Sequence, residues 1–263
     1  MNTQQKPSPQ QDAVRALESP DPSVRLRAAL EMGKHPDPEH LDALVGRCAV
    51  EPDFYVRDML TWAITRLPSH SALPRLRREL GSETAQARSQ ALHTLSKIGD
   101  RSAWPWVSRM LRDPDCEVAR TAWRSAAALV PDEDRRALAV ELASQLGRGD
   151  RSLQRSLSRS LIELGPVLDE VLAPVAEGHG SSAALHARAT MLMRDDPEIG
   201  FDAALHDARL LVPADPDPTP AAGPPLSARR RCSGRGLEVC GPGGGSGSPR
   251  EWFPQEVVPP KGV

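Results

Sequence analysis

Ser19-Pro-Asp-Pro-Ser-Val-Arg-Leu-Arg-Ala-Ala-Leu-Glu-Met-Gly33 decides how the chain folds. Asp21 belongs to the residue class that caps a helix N-terminus by accepting a hydrogen bond from an orphan backbone N–H. Val24, Ala28 and Met32 then recur at i, i+4 and i+8, on one helix face. The same phrase returns five more times. Val56, Ala87, Val118, Leu153 and Leu185 occupy the place of Val24, at spacings of 32, 31, 31, 35 and 32 residues. Four residues after these anchors stand Leu60, Ala91, Ala122, Leu157 and Ala189; eight after stand Ile64, Leu95, Ala126, Leu161 and Met193. Three before them come Asp53, Thr84, Asp115, Asp150 and Ser182, all capping types. Twelve or thirteen after come Pro36, Pro68, Gly99, Pro131, Gly165 and Pro197, which stop helices.

A second apolar stripe lies upstream of each capped helix. Leu17, Ala49, Leu80, Leu111 and Leu146 stand seven before the anchors; Ala13, Val45, Leu76, Val107 and Leu142 stand eleven before. The sixth repeat departs, with Gly178 and Pro174 there. Pro74 and Pro105 would start or bend the first helices of their repeats. The unit is a helical hairpin, six times over, and neither helix can bury its stripe without the neighbouring repeat. These residues resemble the bacterial HEAT repeat, of the short type found in phycobilisome-lyase subunits. Glu51-Pro-Asp-Phe-Tyr-Val-Arg57 and Asp113-Pro-Asp-Cys-Glu-Val118 are variants of its entry motif, and the resemblance spans roughly residues 11–212. It implies an all-α, right-handed αα-superhelix, an armadillo-like solenoid. A seventh hairpin begins with Phe201, Ala204, Leu205, Ala208 and Leu211, then stops where Pro218 takes the anchor position.

Proline and glycine divide the chain near Val212. Residues 213–263 hold 11 Pro and 9 Gly among 51 positions, a composition that predicts a disordered tail; residues 1–10 are expected to be disordered as well. Cys232 and Cys240 could pair there, though a cytosolic chain keeps them reduced. The Arg-, Gly- and Pro-rich tail also fits out-of-frame translation of GC-rich DNA, a possibility that resequencing decides. No apolar run reaches the ~20 residues that span a bilayer, so no membrane association is expected. Met1-Asn-Thr-Gln-Gln-Lys-Pro-Ser-Pro-Gln-Gln11 lacks a secretory signal, and a cytoplasmic location and a monomer are the expectations. Nine aromatics (five Trp, three Phe, one Tyr) fit poorly with a β-sandwich or barrel.

The case for catalysis is thin. Some enzymes of similar repeats, the deoxyhypusine hydroxylases, bind iron through His-Glu dipeptides, and this chain has none; Glu39-His40 is reversed. His35, His40, His70 and His179 are read as loop or helix-start residues without metal-ligand spacing. Cys48 and Cys116 read as small buried residues. Gly241-Pro-Gly-Gly-Gly-Ser-Gly-Ser248 has the composition of a flexible linker, and no nucleophile–base set is recognisable. No catalytic residue, metal or cofactor is predicted.

What remains is surface. The HEAT resemblance implies that second helices line a concave face, presenting positions two and six after each anchor. These read Leu26/Leu30, Asp58/Trp62, Ser89/His93, Arg120/Arg124, Arg155/Arg159 and Ala187/Met191. Asp58, Trp62, His93, Arg120, Arg124, Arg155 and Arg159, with Trp123 beside them, are the candidate binding residues, since Arg takes carboxylates bidentately and Trp anchors interfaces. Trp62, Trp104, Trp106 and Trp123 are more often packing residues than stacking platforms, and the core is their default place. Asp21, Arg25, Asp53, Arg57 and Arg88 are expected to form an Asp–Arg ladder between repeats, as the resemblance implies. The expected function is a non-catalytic scaffold that receives an acidic or amphipathic segment of another protein. The alternative is nucleic-acid binding, as in HEAT-like alkylation-repair DNA glycosylases; against it, residues 1–212 carry 27 basic and 30 acidic side chains.

Overall fold

A computed structural model describes residues 9–178 and 181–211, and these are all-α. The predicted tail, residues 213–263, and residues 1–8 lie outside the described residues. So do Cys232, Cys240 and His179.

The first helices of successive hairpins are α1 (Pro9–Ala16), α3 (Leu41–Val50), α5 (Ser69–Glu79), α7 (Trp104–Val107), α9 (Arg135–Ala143) and α11 (Val167–Ala176). The second helices are α2 (Pro22–Lys34), α4 (Phe54–Thr65), α6 (Ala85–Ile98), α8 (Cys116–Leu129), α10 (Arg151–Ile162) and α12 (Ser182–Asp195); α13 (Phe201–Leu210) opens a seventh unit. Each second helix packs against the neighbouring second helices, and the first helices pack against them. The result is a solenoid of stacked hairpins.

Local chemistry sets these boundaries. Asp21, Asp53, Asp115 and Asp150 each stand at an N-cap in extended conformation and accept from a backbone N–H of the first turn. Thr84 occupies the same place without such a bond. In the sixth repeat the cap is Ser181, whose hydroxyl accepts from the Ala184 N–H; Ser182, expected in that role, is the first helical residue instead. Gly99 ends α6 at φ 73°, a left-handed conformation that L side chains avoid. Pro105 starts α7, which lasts only four residues before tightening into a 3₁₀ turn, Ser108–Met110.

The apolar stripe is the core. Val56, Leu60, Ile64, Leu95, Val118, Leu157 and Leu161 are all buried, and one continuous cluster runs from Leu17 to Ala187. A separate cluster joins Ala189 of α12 to Phe201, Ala204, Leu205 and Ala208 of α13. Each fully buried Leu contributes about 1.5–3 kcal/mol relative to exposure, so stacking rather than helix propensity holds the array. One candidate binding role and one expected burial fail, while Trp123 takes its default place in the core. Trp123, a candidate binding residue, is fully buried, with its Nε1 donating to the Leu111 carbonyl at 2.9 Å. Its place, five after the anchor, faces the first helix rather than the open side. Cys116, read as buried, is exposed at the start of α8.

Candidate functional site

The entry loops between helices carry the most charge-dense chemistry, and it is structural. Arg25 donates a two-pronged bond to Glu51, 2.7 Å to each oxygen, and also reaches the carbonyls of Ser19 and Pro20 at 2.8 and 3.0 Å. Arg57 reaches the carbonyls of Glu51 and Pro52, and Arg88 those of Ser82 and Glu83. Arg88 also pairs with Asp113 of the next repeat. The residue one after the anchor therefore ties down the carbonyls that stand five and four before the anchor, which the turn leaves without partners. In the fourth repeat that residue is Ala119, and Arg148 of the following repeat supplies the missing guanidinium, reaching the carbonyls of Asp113 and Pro114. Gln154 holds the turn of the fifth repeat in a related way, donating to the carbonyls of Gly147 and Gly149, six and four before the anchor.

The ladder of Asp21, Arg25, Asp53, Arg57 and Arg88 is thus corrected. The arginines participate, but Asp21 and Asp53 spend their carboxylates on capping their own helices. The acceptors are Glu51 and Asp113, five before the next anchor, each also taking the N–H of the capping residue, Asp53 or Asp115, at 2.9 Å. Arg57 finds no such carboxylate because Ser82 stands at that position in the third repeat. Glu51 is wholly buried between Arg25 and Arg47. Burial alone would raise its carboxyl; Arg25, the Asp53 N–H and Arg47 outweigh that and hold it at about 2.

His186, which the spacing argument did not single out, stands one after the sixth anchor, in the place of these arginines. It is fully buried. Its Nδ1 accepts from the Gly147 N–H at 3.0 Å, so the ring proton sits on Nε2, which faces the Gln154 carbonyl and the Ser158 hydroxyl, each at 3.0 Å. Ser158 continues to Thr190, whose hydroxyl donates to the His186 carbonyl. Burial pushes the imidazole down to about 4, against a smaller upward pull from the Gln154 carbonyl. The neutral ring is favoured in the folded state, so its stabilisation is complete above pH 6.5 and is lost as pH falls from 6.5 toward 4. Linkage puts the loss at about 3 kcal/mol. Urea unfolding of the wild type should weaken over that window relative to His186→Gln, whose neutral amide does not titrate. Parallel pH profiles for the two proteins would contradict the assignment.

The open side of the second helices carries the other candidates. Trp62 is 37% exposed and lies over Gly33 of the preceding repeat, where an added Cβ would stand 2.0 Å from the indole. Asp58, Arg124, Arg155 and Arg159 are exposed, and His93 and Arg120 are half-buried. Four of them sense one another. Desolvation lowers the His93 imidazole first, with Lys97 and Arg124 adding to it and Asp58 opposing. The Arg124 guanidinium is lowered by desolvation and then by Arg120, with Glu117 and Glu163 opposing. Burial raises the Glu163 carboxyl against the pull of Arg124. Arg124 keeps an exposed surface, and partial desolvation together with Arg120 lowers its guanidinium. Asp58, His93, Arg120 and Arg124 therefore share a surface across three repeats, joined by Glu163, which the positional pattern did not include; Trp123 is absent from it. Arg120 binds Glu117 at 3.3 Å while its Nε has no partner among the described residues.

A second exposed feature lies at the start of α4. Phe54 and Tyr55 are 64% and 73% exposed, in an edge-to-face pair at 5.6 Å, with the Arg57 guanidinium 6.0 Å from the Phe54 ring. Among the described residues no His, Cys, Asp and Glu group has the makings of a metal site, and no helix is long and apolar enough to cross a membrane.

Residues 11–87 and 49–128 match the model of HEAT repeats. No curated protein matches the chain. Among solved structures, an engineered protein is 17% identical over 76% of this chain and 96% of its own, with a TM-score of 0.38. A designed armadillo repeat protein is 14% identical over 69% and 98%, also at 0.38. The CpcE–CpcF complex of phycocyanin lyase from Nostoc sp. PCC7120 is 18% identical over 79% and 95%, at 0.30. The matched residues, 11–128, carry three of the capped second helices and the entry-loop arginines Arg25, Arg57 and Arg88, and over this stretch the chain is similar to HEAT repeats.

Proposed function

We propose that the protein is a non-catalytic scaffold whose second-helix row forms a concave binding face for an acidic or amphipathic segment of another protein. The observation that carries the reading is the state of Arg120 and Arg124. Arg120 is half-buried and its buried Nε has no partner among the described residues, while the exposed Arg124 lies close enough for the two guanidinium charges to repel. A carboxylate from outside would accept from the outer guanidinium nitrogens of the pair and offset their mutual repulsion. Solenoids commonly bind along such rows, where repeated positions present side chains at regular intervals. The nucleic-acid reading is disfavoured here, because Asp58, Glu117 and Glu163 stand among the arginines and would repel a run of phosphates.

The reading is tested by charge reversal at Arg120, Arg124, Arg155 and Arg159. Affinity for the protein that co-purifies with the full chain should fall at least tenfold, about 1.4 kcal/mol, with the helical circular dichroism unchanged. Undiminished affinity in the folded variant would remove the proposal, and binding that collapses steeply with salt alongside co-purified nucleic acid would replace it.

A further inference from the structure

The second-helix row changes character along its length, and the order of the change limits what fits. At one end Leu30 and Trp62 occupy the sixth position after their anchors in repeats one and two. The indole rests on Gly33 of repeat one and keeps 37% of its surface exposed. Repeat three contributes His93 at the same position, half-buried and under the influence of both Asp58 and Arg124. Repeat four then presents Arg120 and Arg124, and repeat five the exposed Arg155. Apolar surface and cationic surface thus lie at two stations on one face, with His93 between.

We infer that the row receives an extended peptide segment with an apolar side chain at one station and carboxylates at the other. The apolar side chain rests on Trp62; the carboxylates meet Arg120, Arg124 and Arg155. The inference rests on the scaffold reading and adds the order and spacing of the partner's groups. Trp62 and Arg124 hold equivalent positions two repeats apart. Helices pack 8–10 Å apart and an extended chain advances about 3.3 Å per residue, so the stations are separated by roughly five or six residues of the segment, and Arg155 by about eight.

The chemistry selects carboxylates. Arg120 already holds Glu117, and Arg124 lies within the field of Glu163. A single carboxylate can take the exposed guanidinium fork of Arg124 in its own plane beside Arg120. A phosphodiester chain would have to lie along Asp58, Glu117 and Glu163 as well. The apolar station supplies what a carboxylate alone lacks, a desolvated contact of the kind that anchors interfaces.

The test is a phage-displayed library of random peptides, about sixteen residues long so that both stations can be reached at once, panned on the full-length protein. Enriched sequences should carry Leu, Phe or Trp five to eight positions from Asp or Glu. A synthetic peptide of that pattern should bind at least tenfold more weakly to Trp62→Ala and to the Arg120→Glu/Arg124→Glu/Arg155→Glu variant, with Trp62→Leu retaining part of the affinity. Double-mutant cycles should couple the peptide's apolar residue to Trp62 and its carboxylates to the arginines. Circular dichroism of each variant checks that it is folded. Enriched peptides without the spacing, or coupling to the wrong station, would overturn the two-station inference; weaker binding to the arginine variant would then still support the scaffold reading. Peptides indifferent to both variants would overturn both. No enrichment at all would overturn the inference and leave the scaffold reading to charge reversal against the co-purified protein.

Discussion

Glu51→Ala is expected to lower the unfolding free energy by about 3–5 kcal/mol, as removal of one partner from a buried ion pair does. The carboxylate is wholly buried and accepts from Arg25 twice, from Arg47 and from the Asp53 N–H. Alanine would leave Arg25 charged and enclosed, with only the Ser19 and Pro20 carbonyls to hold it. A domain's net stability is about 5–15 kcal/mol, so the loss would be a large share of it. Glu51 also predicts a pH dependence. Its folded pKa, about 2 against the usual 4.5, gives stabilisation that is complete above pH 4.5 and disappears as pH falls through 2. Linkage over that shift amounts to about 3 kcal/mol. Urea titrations of wild type and Glu51→Ala should therefore differ strongly at neutral pH and converge in acid. A difference below about 1 kcal/mol at neutral pH would be the size of an exposed pair and would contradict the buried assignment.

Trp123→Ala should cost a comparable amount, about 3–5 kcal/mol, because it opens the largest cavity available in the array. The ring is enclosed by α8 and the turn after α7, and its Nε1 bond to Leu111 ties the two helices of the fourth hairpin together. Arg148 lies over the ring, 5.9 Å from its centre, so the same side chain links repeat five to the site. Trp123→Phe keeps most of the volume and loses the bond to Leu111, for which about 1–2 kcal/mol is expected. Equal losses in the two variants would mean that the hydrogen bond, not the volume, dominates.

The repeat was legible because three independent signals recur in phase. A capping residue, an apolar stripe and a stop must coincide for a hairpin to stack, and each is a local property of the chain. The partners of the charged residues were harder to read. Asp21 and Asp53 look like ladder carboxylates from spacing alone, but a capping side chain is already committed to its own first turn. The residue that can reach the preceding repeat is five before the anchor, where the chain reads Ser19, Glu51, Ser82, Asp113 and Arg148. Aligning that column would have found both the acceptors and the substitution of Arg148 for an arginine in repeat four. His186 was hidden by its type, since it shares a column with three arginines yet works as a neutral ring. Trp123 shows the opposite error: its neighbours Arg120 and Arg124 point outward, while position five after the anchor turns inward. Glu163 joined the candidate face only through packing, since it belongs to neither of the two positions used to define that face.

Photo-crosslinking from the second-helix row tests the central claim most directly. A benzophenone amino acid at Asp58 would stand on the row, and one at Val140, half exposed on a first helix, would stand away from it. The account predicts an adduct with a protein partner from position 58 and none from position 140. An adduct from position 140 alone, or from both equally, would contradict it.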